Sequence, residues 1–184
     1  DKMKSFLKRQ AILVVIAIIV AVAWSGWTAR VNMVKMQDSM ASQYSLLQNQ
    51  MDNRAQLGQA LMDEMGIYAN YDPETVDNFK AGHKGIKEAT DLKSLMTADA
   101  KVEDSLNLMF MVIANMKDLQ ANQDLATKQE QLVKASKQIQ QSEKDYNDSL
   151  TAYNQEVRRF PVSIVAELCG FRPVPAIQLN GDVK

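Results

Sequence analysis

The chain has little of what breaks a helix and little of what carries chemistry. A single cysteine, Cys169, in 184 residues excludes an intramolecular disulfide, so a home outside the cytoplasm must rely on packing alone. Seven glycines and four prolines leave few stopping points, and with 11 methionines among the unbranched side chains helix is favoured nearly everywhere. Aromatics are 7%. Neither sign of charge dominates: 21 basic against 22 acidic residues give −1, without the basic excess that displaces counterions from nucleic acid. The length suits one soluble domain plus an anchor.

What is present begins with a run lacking any charge. Ala11 to Ala29 reads AILVVIAIIVAVAWSGWTA, with Ile12, Leu13, Val14, Val15, Ile16, Ile18, Ile19 and Val20 in its apolar half. As a helix its 19 residues rise about 28 Å, the depth of a bilayer's hydrocarbon. Trp24 and Trp27 close it, where indole rings favour the headgroup boundary. Lys2, Lys4, Lys8 and Arg9 precede the run and Arg30 and Lys35 follow it. The heavier basic flank predicts a cytoplasmic N-terminus and an extracytoplasmic remainder. A cleaved signal peptide is the rival, with Ala21-Val22-Ala23 as its cleavage site. Apolar character continuing to the Trp pair favours a retained anchor. Asp1 is not an initiator methionine, so a start at Met3 or upstream is expected.

Beyond Arg30 apolar residues step by three and four, the seam of packed helices. The first seam runs Met33, Met36, Met40, Tyr44, Leu47, Met51, Leu61, Met65 and Tyr68, interrupted at Arg54 and Gly58. It predicts one helix from the anchor to about Tyr68, stopped by Asn70-Tyr71-Asp72-Pro73, with a possible kink at Ser25-Gly26. A weaker helix with Gly82 and Gly85 is expected over 73–96, turning Val76, Phe79, His83, Ile86 and Thr90 inward. Thr97 or Asp99 would cap the next, with Val102, Leu106, Met109, Ile113 and Met116 on its seam. The last long helix, about 122–159, repeats from Leu125 through Gln129, Leu132, Ser136, Ile139, Glu143, Tyr146, Leu150, Tyr153 and Val157 to Phe160. The expected architecture is all-α. The anchor (1–29) continues into an up-down-up-down four-helix bundle (30–160), followed by a short amphipathic helix and extended tail (161–184). Parity returns the last helix, and the tail, towards the membrane.

The C-terminal part resembles a known family. Tyr146-Asn147 and Tyr153-Asn154 are followed by Arg159-Phe160-Pro161, Ile164-Val165-Ala166, Gly170-Phe171 and Pro173. Asp118-Leu119-Gln120-Ala121-Asn122 with Gln129 and Leu132, and Asn53-Arg54-Ala55-x-Leu57, extend the pattern. The arrangement is similar to the LemA family. The resemblance implies an N-terminally anchored helical bundle in bacteria, at the inner membrane, without an established catalytic activity. Ser136 stands where an acid is expected, Gln138 where Arg is, and Leu57-Gly58-Gln59-Ala60 replaces Leu-Ile-Pro-Asn, which marks a divergent member.

Catalytic candidates are few. His83, the one histidine, reads as a half-buried helix residue, and Cys169 has no base near it in sequence. No phosphate loop, HExxH or CxxC occurs, nor the Glu-x-x-His pairs of bundle di-metal sites. A non-enzyme without metal or cofactor is expected. Two segments exceed a bundle's needs. In Leu108–Ala114, LMFMVIA, the residues Leu108, Phe110, Met111 and Val112 form either a broad core stripe or a self-association or partner surface. After Pro161, Val162, Val165, Leu168 and Phe171, with Phe160 before them, form either an interfacial segment or a flap on the bundle base, and Val174, Ile177 and Leu179 follow. The expected partners are the bilayer, copies of the same chain and, alternatively, another membrane protein, with no nucleic acid. The expected function is a self-assembling membrane scaffold, with an anchored adaptor or sensor as the alternative.

Overall fold

Few breakers and long 3–4 seams dictate long helices, and the computed structural model, which describes residues 2–66 and 72–175, has them. Its elements are α1 (Lys2–Met65), α2 (Pro73–Glu88), α3 (Leu92–Asn115), α4 (Lys117–Gln120), α5 (Gln123–Arg158) and α6 (Val162–Cys169). Among the described residues every element is helical. α1 runs unbroken for 64 residues, through Ser25-Gly26, and is long and apolar enough to cross a membrane. Among the described residues, none buries any part of its most apolar window. Tyr68, Asn70, Tyr71, Ile177 and Leu179 lie outside the described residues.

The chain divides into two compact units, one of Asp1–Met40 with Asp148–Pro175, the other centred on Ala41–Asn147. In the first, Ala29, Met33 and Met40 of α1, Leu150, Tyr153 and Val157 of α5, and Ala166 of α6 are buried. The Tyr153 hydroxyl accepts from Gln37 Nε2 at 3.0 Å, so the fully buried ring keeps its polar tip satisfied. Asn154 clasps the backbone of Val174 from both sides, accepting from its N–H at 2.8 Å and donating to its carbonyl at 2.7 Å. The Tyr153-Asn154 pair therefore has two jobs, one in the core and one on the segment after α6.

In the second unit Leu47, Met51, Leu61 and Met65 of α1 meet Phe79 and Ile86 of α2, Leu95, Val102, Leu106, Met109 and Ile113 of α3, Leu119 of α4, and Leu125, Leu132 and Ile139 of α5. Each such side chain contributes roughly 1.5–3 kcal/mol by leaving water. The expected seams are largely the buried ones, with three exceptions: Thr90 and Met116 are exposed, and so is Phe160 of the first unit.

The break between the second and third helices differs from expectation. It falls at Ala89–Asp91, not near Met96, and Asp91 is the cap in place of Thr97 or Asp99. The Asp91 carboxylate accepts from Ser94 N at 2.7 Å, and Ser94 Oγ accepts from Asp91 N at 3.4 Å, a reciprocal capping box. The Ser94 N–H holds the Asp91 carboxyl below its ordinary range. On the other side of the break, Gln48 donates to the carbonyls of Ile86 (2.7 Å) and Ala89 (3.1 Å), and the Tyr44 hydroxyl donates to Ala89 O at 3.1 Å. α1 thus satisfies carbonyls that ending α2 leaves open. Asp72 and Pro73 start α2 as expected, Asp72 accepting from Glu74 N at 3.2 Å.

Arg54 and Gly58 do not interrupt the first seam; both are buried in it. A Cβ on Gly58 would stand 2.8 Å from Leu106 Cδ2 and 2.9 Å from Phe79 Cε2, so glycine here makes room for two other helices. Gly82 is tighter, its hypothetical Cβ lying 2.7 Å from the backbone oxygen of Ala98. The glycines that weaken α2 as a helix let it press on α3. Gly82→Ala is therefore expected to destabilise, by about 1–3 kcal/mol from overpacking, although alanine gains about 1 kcal/mol in helix propensity. A rise in melting temperature of the detergent-solubilised variant would contradict this packing account.

Candidate functional site

A helix seam made of apolar residues cannot hold a guanidinium unless other helices supply its partners. Arg54 of α1, 2% exposed, finds them on α3 and α5. Its Nη2 reaches both carboxylate oxygens of Asp99 at 2.7 Å, and Nη1 donates to Ser136 Oγ at 3.1 Å. Glu103, Gln140 and Glu143 join them around a cavity of about 60 Å³. Arg54 Nε has no protein partner, and a cavity of this size has space and polar walls for ordered water. Burial raises the Asp99 carboxyl, and Arg54 pulls it only part of the way back. Glu143 is pushed up to about 7, first by burial, then by the negative charges of Asp99 and Glu103, with Arg54 opposing. The polar members of the α5 seam, Ser136 and Glu143, are thus the lining of one polar cluster.

His83 is half-buried on α2, its Nε2 2.9 Å from Asp52 Oδ1, its ring edge-on to Phe79 at 6.3 Å. Lys87 approaches the same carboxylate at 3.9 Å. Asp52, His83 and Lys87 form a polar network near the surface. Cys169 is exposed in the first unit. Among the described residues no group of three or more His, Cys, Asp and Glu is placed to hold a metal ion.

The apolar candidates separate by face. Phe110 and Val112 are half-buried against the core, whereas Leu108 (47%) and Met111 (60%) are exposed. Leu108, Met109, Met111, Val112 and Met116, with Thr75, Asn115 and Asp72, line an open cleft of about 450 Å³. In α6, Val162, Val165 and Phe171 are half-buried, and Leu168 and Phe160 point outward. Ile164, between them, is exposed too; the sequence reading omitted it because periodicity does not say which side of a short helix faces out. Ile12, Leu13, Val14, Val15, Ile16, Ile18, Ile19, Val20, Trp24 and Trp27 of the anchor are all exposed, and so is Ala11.

The LemA family model matches residues 43–184. The chain belongs to the LemA family. No curated protein matches it. The family match takes in Arg54, the Tyr-Asn repeat and α6, and begins beyond the apolar stretch of α1. In this LemA-family chain the repeat's second copy fastens the segment after α6, and Arg54 joins three helices.

Two outcomes test the cluster. Arg54→Met leaves Asp99 buried without its cation and is expected to lose about 3–5 kcal/mol, with Asp99→Leu in the same chain recovering part of it. A small loss for the single variant in thermal unfolding would mean that the pair is not buried in solution. The second concerns pH. A carboxyl at about 7 when folded and near 4.5 when unfolded adds stability in full below pH 4.5 and loses it as pH rises through 7. Because Glu143 is half-exposed, that contribution is discounted to about 1–2 kcal/mol. Glu143→Gln is expected to melt higher than the parent at pH 8 and to flatten the slope between pH 5 and 7; an unchanged slope would refute the assignment.

Proposed function

We propose that this LemA-family chain is a non-enzymatic membrane scaffold that self-assembles at or around a bilayer. It is held by α1 as a single-pass anchor in a bacterial inner membrane, with the N-terminus cytoplasmic. The soluble part is an up-down-up-down four-helix bundle on the far side. The anchor reading draws on a charge-free stretch whose most apolar window is unburied among the described residues, with tryptophans at one end and four basic residues at the other. Self-assembly is supported above all by the cleft beside Leu108 and Met111. Its methionines give an apolar, adaptable lining, and two large side chains beyond the needs of the core reach out of it. The charged groups favour no reaction. Among the described residues Arg54 pairs with Asp99 and His83 hydrogen-bonds Asp52, contacts that account for these groups without a reaction.

The alternative, an anchored adaptor or sensor, would use the same cleft for a different protein. Mass photometry of the chain extracted in mild detergent separates the two. Discrete multiples of the 20.6 kDa chain are expected. Leu108→Lys with Met111→Lys should shift them to the monomer without lowering the melting temperature by more than a few degrees. A monomer at every concentration sinks the scaffold reading, and one dominant heterologous crosslinked partner would favour the adaptor.

A further inference from the structure

We propose that α6 is a second membrane contact, lying along the bilayer that α1 enters, with Phe160, Ile164 and Leu168 sunk to the headgroup–acyl boundary. The inference rests on the reading of Ala11–Ala29 as a membrane span. Its first observation is the level at which α6 packs. A side chain added at Gly26 would meet Val165 Cγ2 at 3.5 Å, ordinary contact distance, so α6 sits beside α1 within the charge-free stretch, between Trp24 and Trp27. Those tryptophans are themselves exposed, at 71% and 64%.

The second is the sidedness of α6. Ala166 is buried and Val165 half-buried, which turns Ile164 and Leu168, one turn apart, away from the protein. Phe160, just before the helix begins, is exposed as well. Phe160 and Leu168 are the most exposed large apolar side chains in the described residues, at 79% and 82%. The C-terminal side of this short helix is held to the protein. Gly170, in the left-handed conformation at φ 79°, ends the helix, and Asn154 clasps Val174 just beyond.

Continuity with the span selects the occupant. At the depth of Gly26 the medium around α1 is the bilayer interface, and α6 packed there meets the same medium on its free side. The charges agree on balance. Arg158 and Arg172 stand on one groove beside α6, and Arg159 carries an ion pair to Glu156 at 2.9 Å. Glu167 lines the same groove and is the one opposing charge within α6. Arginines around an apolar face suit an anionic lipid surface.

The test reads depth in the full chain, reconstituted into vesicles of phosphatidylcholine and phosphatidylglycerol. In a Cys169→Ser background, single nitroxide labels are placed through Ile164→Cys, Leu168→Cys, Ile16→Cys and Ser45→Cys. Accessibility to oxygen and to a water-soluble nickel chelate is then compared. The expected result is an oxygen-to-nickel ratio at 164 and 168 several-fold above that at exposed Ser45, and below that at Ile16. An Ile16 label in lipid with 164 and 168 as nickel-accessible as 45 overturns the α6 contact and leaves the anchor standing. An aqueous Ile16 label overturns the anchor reading itself. Labels at 164 and 168 shielded from both probes, with dipolar broadening that fades on dilution with unlabelled chain, would show a second copy on this face and overturn the lipid contact.

Discussion

A guanidinium in an apolar seam is the constraint around which the second unit is arranged. Arg54 is carried by α1, its carboxylate by α3, and its hydroxyl acceptor by α5. Sliding any of the three by one turn, about 5.4 Å, would leave a buried charge alone, at a cost of several kcal/mol. Leucine and methionine seams tolerate such slips far better, because one apolar contact replaces another. The pair contributes little net stability relative to a well-packed apolar trio, so its value lies in register. Around it, small residues follow from the same requirement. Gly58 sits one turn from Arg54, and Gly82 and Gly85 admit α2 to the backbone of α3.

Much of this was legible as spacing. The buried set Met33, Met40, Leu47, Met51, Leu61 and Met65 is the 3–4 series visible in the sequence, and Gly170 ends α6 where a glycine after an apolar helix should. Spacing failed where the physics is relational. Arg54 and Gly58 counted as interruptions because hydrophobic periodicity scores a residue alone, and the partner of Arg54 lies 45 positions away. The break at Ala89–Asp91 was hidden by Leu92, Leu95 and Met96, which prolong an apolar pattern through it. Its local sign was Asp91 with Ser94 three residues later, and its other half, Gln48 and Tyr44, belongs to a different helix.

The candidate surfaces show the same division. The run Leu108–Ala114 was visible as too apolar for one seam, but composition could not apportion it. Phe110 and Val112 serve the core, and Leu108 and Met111 are left over. In α6 the sequence named the apolar residues and not their directions. Val165 packs beside Gly26 of α1, and that contact turns Ile164 and Leu168 outward. The titratable residues were legible as types and misleading as roles. Glu143 stands in the sequence as one more step of the α5 repeat, and it lines the Arg54 cavity with its carboxyl raised to about 7.

Magnitudes rank the three exposed apolar surfaces. Ile12, Leu13, Val14, Val15, Ile16, Ile18, Ile19 and Val20 are each about half to three-fifths exposed, so removing them from water is worth on the order of 1 kcal/mol apiece, close to 10 kcal/mol together. That is comparable to the whole stability of an ordinary domain, which favours apolar surroundings for this stretch. Phe160, Ile164 and Leu168 offer a few kcal/mol on the same scale, and Leu108 with Met111 rather less. Contacts of that size form and release at equilibrium. On the proposed reading α1 holds the chain in the bilayer and α6 meets lipid, so the density of chains bears only on how often the Leu108–Met111 face is occupied.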